Sequence, residues 1–176
     1  QAADQLTVYQ ANNVSVAFSL ERQGDSAKIL ATFTPEQKFP PLHLYSKDLT
    51  GEVGIATRIE FANPEVQTAG ALEADRKPHD LNGLPVYPAG PVTLTLPIRL
   101  PVTRDGARVD ADILISYMAC TDTSCMIPVI AQPVKVSLPS VIGEPQPAGT
   151  LPSNKAQANS EPKPLAGSNP VSASDK

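Results

Sequence analysis

The sequence has little of what long helices, membrane spans and metal centres require. Its 176 residues include no Trp, only four Tyr, four Phe, two His and two Cys, but 19 Pro. Because proline interrupts helices, long helices are not expected. No run approaches the roughly 20 consecutive apolar residues that a membrane-spanning helix needs. The length suits one ordinary domain with a closed core.

Positive charge is also scarce. The chain carries 14 Lys and Arg against 18 Asp and Glu, a formal net charge of −4. This balance gives no basic surface for phosphate backbones, so no nucleic-acid partner is predicted. The glycine-rich phosphate loops, the serine-hydrolase elbow and the zinc-protease motif are all missing. Hydrolase and nucleotide-binding functions therefore lose their support, and no cofactor is predicted.

Apolar residues recur in short segments, most of them with the period of two that a half-buried strand shows. Seven segments predict strands: 14–20, 29–33, 42–44, 55–61, 92–100, 109–117 and 134–138. Short turns rich in Pro and Gly separate most of them, and residues 66–80 form the one long irregular connection. Pro97 predicts an edge or a bulge in its strand. We therefore predict an all-β, two-sheet antiparallel sandwich.

Composition divides the chain near Ile142. Residues 143–176 are rich in Pro and Ser and contain no aromatic side chain. Such a segment cannot bury enough apolar area to offset its chain entropy. We predict a folded domain over residues 1–142 and a flexible, disordered linker or tail over residues 143–176.

The two cysteines lie close together, at Cys120 and Cys125. Cys120 is predicted to end the strand that starts at Val109, with residues 121–124 as an exposed turn. Across such a turn two Cα atoms can approach within the roughly 4.4 to 6.8 Å that a disulfide needs. So small a loop stabilises a fold by only about 2 kcal/mol, which makes a purely structural bond a weak explanation. Solvent-accessible cysteines in a polar turn are also where thiol–disulfide exchange is sterically possible.

Two alternatives stay open beside redox exchange. Met118 and Met126 flank the cysteines, and thioether and thiolate sulfurs together suit Cu(I). This favours a copper-binding or copper-resistance module as a second function, although no His lies in the cluster. A third possibility is a non-catalytic interaction domain whose disulfide is only structural. A zinc site has less support than these alternatives, since two Cys and two distant His do not match the ligand spacing of known zinc sites.

Three short motifs, in the same order, resemble the N-terminal periplasmic domains of the thiol:disulfide interchange proteins DsbD and ScsB. The motifs are Tyr117-Met118-Ala119-Cys120 followed by Cys125 and Pro128, His43-Leu44-Tyr45-Ser46-Lys47, and Asp80-Leu81-Asn82-Gly83. The resemblance covers roughly residues 6–138. The chain is similar to this family in motif order but has a shorter spacing between its cysteines than DsbD.

The resemblance implies an immunoglobulin-like sandwich acting as a thiol:disulfide oxidoreductase. Its implied electron donor is a thioredoxin-like domain, and the acceptors are periplasmic thiol–disulfide proteins. The implied location is the periplasm, either as an exported protein whose signal is removed or as the soluble part of an inner-membrane protein. Residues beyond Ile142 are then the tether to a membrane domain.

Residue roles also follow from the resemblance. Cys125 is the sulfur that forms mixed disulfides, and Cys120 closes the intramolecular bond. Leu81 takes the cap position that shields the disulfide, where the family more usually has an aromatic side chain. The remaining implied site residues flank the cysteines or the cap: His79, Asp80, Asn82, Gly83, His43, Tyr45 and Tyr117. Because only Asp122, and no Lys or Arg, lies within several residues of the cysteines, strong local activation of the thiols is not expected.

Overall fold

The computed structural model describes residues 3–24 and 26–144. Within these residues the chain forms fourteen strands and no helix. The strands are β1 (Asp4–Ala11), β2 (Val14–Gln23), β3 (Ser26–Pro35), β4 (His43–Leu44), β5 (Arg58–Phe61), β6 (Glu73–Ala74), β7 (His79–Leu81), β8 (Leu84–Val86), β9 (Val92–Arg99), β10 (Val102–Thr103), β11 (Val109–Tyr117), β12 (Ala119–Cys120), β13 (Val129–Leu138) and β14 (Val141–Ile142). No membrane-spanning helix is found in this described part of the chain.

Two antiparallel sheets enclose the main core. One has the strand order β1-β2-β3-β9-β6 and the other the order β13-β11-β5. Alternate side chains along each long strand point inward, so every second residue is buried. On β2 and β11 the buried set is Val14, Val16, Phe18, Leu20, Ala111, Ile113, Ile115 and Tyr117. The predicted all-β antiparallel sandwich is confirmed, and the arrangement is compatible with an immunoglobulin-like class.

Each of the seven predicted segments contains a strand, but some bounds differ. In segment 55–61 only Arg58–Phe61 is a strand, because the buried Thr57 hydroxyl donates a 2.6 Å hydrogen bond to the Tyr45 carbonyl. That bond holds residues 55–57 against the Tyr45 loop and away from β11. The strand from Val109 ends at Tyr117, and the chain then changes partner so that β12 pairs with β4. Strand β1 is not among the predicted segments, because its residues are all exposed or half-buried and give no clear alternation.

The segment 66–80 is more ordered than predicted. It contains β6 and the first residues of β7, and it runs along β9. The Ala69 amide donates a 2.8 Å hydrogen bond to the Pro97 carbonyl. Strand β9 therefore lies between β3 and β6 and pairs with β3 in unbroken register, so the edge or bulge predicted from Pro97 is wrong. Proline is tolerated here because its missing N–H falls on the irregular side of β9, where no ladder bond is lost.

The last described strands lie at one end of the sandwich. Strand β14 pairs in parallel with β10, the one parallel pair among the described strands. Val109 at the start of β11 lies opposite Leu138 at the end of β13, whereas Tyr117 lies opposite Val129. The cysteines therefore lie at the other end. The predicted tail falls, from residue 145 onwards, outside the described residues.

Candidate functional site: a half-buried disulfide

A small ladder of short strands lies beside the main sandwich at the cysteine end. Strand β8 and the following Tyr87 bond to residues 44–46, and the same segment pairs with β12 through His43 and Leu44. The links include a 2.8 Å bond from the Tyr87 amide to the Leu44 carbonyl and one of the same length from the Met126 amide to the Ala119 carbonyl. The ladder therefore runs from the β7–β8 hairpin through β4 and β12 to Cys125.

The hairpin that begins this ladder closes through Asn82 and Gly83. Both residues have positive φ, 55° and 83° respectively, as a two-residue type I′ turn requires. The Asp80 carboxylate accepts a 3.1 Å hydrogen bond from the Gly83 amide. These three residues are exposed and shape the turn, and their contribution to the site is therefore indirect.

Register brings the other predicted residues together. Residues directly opposite one another in antiparallel strands place their side chains on the same face. The pairs Cys120–His43, Cys120–Cys125, Tyr45–Val86, His79–Val86 and Leu81–Leu84 therefore share one face of the ladder, which we call the cysteine face. Sequence positions separated by more than 80 residues meet there.

The two cysteines form a disulfide with a Cα–Cα distance of 3.9 Å. The pairing agrees with the prediction, and the Cα atoms lie closer than the range expected from sequence. The turn between them is held by a 2.7 Å bond from the Thr121 amide to the Ser124 carbonyl. The prediction that both cysteines are accessible is wrong, because Cys120 is only 1% exposed whereas Cys125 is exposed. The disulfide thus joins a buried cysteine, Cys120, to an exposed one, Cys125.

Cys120 is covered by a second apolar cluster, separate from the main core. Its buried members are Tyr45, Leu49, Val86 and Cys120 itself. Partly buried side chains pack against them: Ala56, Leu81, Leu84 and Met118. Leu81 therefore packs against the cluster that contains the buried cysteine, and its role as a cap stays a prediction.

His43 occupies the position across from Cys120 and is 8% exposed. Its ring meets that of Tyr45 edge-on, with centroids 6.4 Å apart. Burial lowers the pKa of His43, the Asp122 carboxylate opposes this shift, and the nearby His79 reinforces it. At neutral pH the His43 imidazole is consequently uncharged beside the intact disulfide.

Tyr117 does not lie on the cysteine face. It is fully buried in the main core, edge-on to Phe33 at a centroid distance of 5.6 Å. Its hydroxyl donates a 2.8 Å hydrogen bond to the Ala11 carbonyl, and burial raises the pKa of Tyr117. Its role is therefore to fix the end of β11 from which the cysteine segment departs.

The two methionines do not converge on the cysteines. Met118 packs against the cysteine cluster, whereas Met126 packs against the main core. Met126 lies opposite Ala119, which the register places on the other face of the ladder. Among residues 3–24 and 26–144 no group of three or more His, Cys, Asp and Glu side chains could hold a metal ion.

Some residues of the site had no signal in the sequence. Leu49 closes the cluster from a loop, and Gly54 makes room for the Tyr45 ring. Leucine and glycine in a loop are too common to predict such contacts. Asp122 acts on His43 only because the turn brings them together across the ladder.

Comparison with known proteins gives no identification. No protein-family model matches the chain, and a search of the curated proteins finds no match.

Proposed function

We propose that the protein is a thiol:disulfide oxidoreductase domain that works in the periplasm. In this proposal the Cys120–Cys125 pair cycles between disulfide and dithiol. It receives two electrons from a thioredoxin-like donor domain and passes them to periplasmic thiol–disulfide proteins. The tail beyond Ile142 would tether it to a membrane domain. The observation that carries the proposal is the asymmetry of the disulfide, whose ends differ in exposure.

The asymmetry supports a defined order of events. A thiolate must approach one sulfur of a disulfide in line with the bond. Cys125 is exposed in its turn, whereas Cys120 lies in the apolar cluster. The donor thiolate therefore attacks Sγ of Cys125 and forms a mixed disulfide, and the electron pair of the broken bond goes to Sγ of Cys120. A second donor thiolate then releases the protein as a dithiol.

Neither alternative function gains a specific observation. Cu(I) would need thiolates, which the disulfide does not offer, and only Met118 of the two methionines packs beside the pair. A purely structural bond needs no difference between its two ends. Its loop, with a sequence separation of five, would contribute only about 2 kcal/mol.

The test is the redox equilibrium of the pair in glutathione buffers, read by alkylation and mass spectrometry. We expect a reduction potential between about −270 and −120 mV, the range of proteins that exchange disulfides. A potential well below about −300 mV would show a structural bond and make the interaction-domain function the better explanation.

Single-cysteine variants test the order of attack. Cys120→Ala leaves the exposed thiol and Cys125→Ala the buried one. We expect Cys120→Ala to form a mixed disulfide with oxidised glutathione, or with the disulfide form of a thioredoxin-type protein, much faster than Cys125→Ala. Equal rates would contradict the assignment of Cys125 as the attacked sulfur.

A further inference from the structure

His43 lies across from Cys120, whose sulfur is the leaving group when the disulfide opens. Cys120 has a cross-strand neighbour on each side, Cys125 on one and His43 on the other. Directly opposed residues of an antiparallel pair have Cβ atoms about 4.5 to 5.5 Å apart, on the same face. The imidazole therefore lies beside the sulfur that receives the electron pair when the disulfide opens.

The ring is also available for proton transfer. Within the described residues the imidazole has no hydrogen-bond partner, although His43 is only 8% exposed. No side-chain nitrogen or oxygen of these residues is both fully buried and unpartnered. The ring nitrogens thus retain contact with solvent, from which a proton can reach them.

We infer that His43 is the residue that holds and transfers the proton of Cys120 during disulfide exchange. The inference rests on the proposed function. As a partner thiolate attacks Sγ of Cys125, the S–S bond breaks and Sγ of Cys120 leaves as a thiolate. His43 takes up a proton from solvent as negative charge develops on this sulfur, pairs with the thiolate and passes the proton to it, giving a thiol and a neutral imidazole. In the reverse direction neutral His43 takes the proton back, so that the Cys120 thiolate can close the bond.

The surroundings of His43 fit this change of charge. The groups around His43 are Asp122 of the turn, His79 of the hairpin, Tyr45 just after β4, and Cys120 of β12 with its disulfide partner Cys125. Burial keeps the ring neutral while the disulfide is intact. A thiolate at Cys120 adds a negative charge next to the ring, which raises the pKa of the imidazole and draws a proton from solvent. Asp122 favours the same protonated form.

The first measurement uses Cys125→Ser, which leaves Cys120 as the sole thiol. The thiolate absorbance is followed against pH with and without His43→Phe, which retains a ring against Tyr45 but carries no proton. We expect His43→Phe to raise the apparent pKa of the Cys120 thiol, with about tenfold less thiolate, the change that one pKa unit represents. His43→Gln is the second variant, should the larger phenyl ring disturb folding. Asp110→Asn, at the far end of β11, is the control for removing one titratable charge.

The second measurement is the rate of disulfide reduction by dithiothreitol, corrected for the reductant's thiolate concentration. We expect His43→Phe to be slower than the unsubstituted protein at about pH 6 and to approach it at about pH 9, where imidazole no longer holds a proton. A purely structural role would change the rate by the same factor at both values. An unaltered Cys120 pKa, or a constant rate ratio, would overturn the inference.

The two hypotheses fail differently. A very low reduction potential of the unsubstituted protein would contradict the proposed function, whereas the Cys120 titration in the Cys125→Ser background would still show whether His43 acts on that thiol.

Discussion

Gly54 leaves room for the ring of Tyr45. A Cβ atom built on Gly54 would lie 2.8 Å from Cε2 of the tyrosine, and the glycine has a φ of +84°. The Tyr45 ring in turn packs in the cysteine cluster and meets His43 edge-on. One glycine in the loop between Leu49 and β5 therefore limits where the ring beside the disulfide can lie.

Gly54→Ala is expected to displace Tyr45 and loosen the cover over Cys120. We expect a loss of about 1 to 3 kcal/mol in the free energy of unfolding, because overpacking adds to an unfavourable φ. Near-ultraviolet circular dichroism should change as well, since the protein has four Tyr and no Trp. Gly51→Ala is the matched control, because Gly51 has a φ of +103° but no atom within 4 Å of its Cβ position. Equal effects of the two variants on the tyrosine signal would contradict the prediction.

Leu81→Ala should expose the buried end of the disulfide more often. A half-buried leucine contributes about 1 kcal/mol of packing to the closed hairpin. Its loss corresponds to a roughly fivefold increase in the open population. With Cys125→Ser as the background, we expect alkylation of the Cys120 thiol by iodoacetamide to accelerate by a similar factor.

The control for the cap is Leu72→Ala, the same substitution at another partly buried leucine, which packs against the main core. It should lower stability without accelerating alkylation of Cys120. If both variants accelerate this alkylation alike, global loosening and not Leu81 controls access to Cys120.

Removing the disulfide should leave the sandwich folded. The double variant Cys120→Ala/Cys125→Ala loses a loop constraint worth about 2 kcal/mol, while the main core between the two sheets is unchanged. Urea unfolding should show a lower midpoint and a similar denaturant slope. Loss of cooperative unfolding would mean that the bond is needed for the fold, which favours a structural disulfide.

Acid should destabilise the oxidised protein through His43. Its folded pKa is lowered from 6.5, so the unfolded chain binds a proton more readily than the folded one. The contribution to stability is therefore complete above 6.5 and is lost as the pH falls towards the folded pKa. Unfolding free energies measured at several pH values from 7.5 down to 5 should decline more steeply for the unsubstituted protein than for His43→Phe. Parallel curves would show that the imidazole has no such effect.

The sequence predicts the sandwich well because its long strands are amphipathic. Segments 92–100 and 109–117 alternate clearly, and each forms a long strand with alternate residues buried. Strand β4 lies in the predicted segment 42–44, but the other short strands of the cysteine ladder carry no such signal, since a strand of two residues such as β12 has no period. Tertiary pairing alone determines these other strands.

The candidate site, too, could be predicted from the sequence only in part. The pairing of Cys120 with Cys125 follows from their separation along the chain, but the burial of Cys120 depends on a hairpin 40 residues earlier. Among the sequence neighbours of the two cysteines, Asp122 was the only charged residue. His43 becomes a neighbour of Cys120 only through the register of β4 and β12.

The directions of β11 and β13 determine which end of the sandwich carries the last described residues. Strand β11 runs from Val109 to Tyr117 towards the disulfide, and β13 returns alongside it to Leu138. Eight residue steps at about 3.4 Å place Leu138 roughly 27 Å from the cysteine end. An anchor joined through residue 144 would hold the molecule at the end opposite the disulfide. The exposed Cys125 would then face away from the anchor.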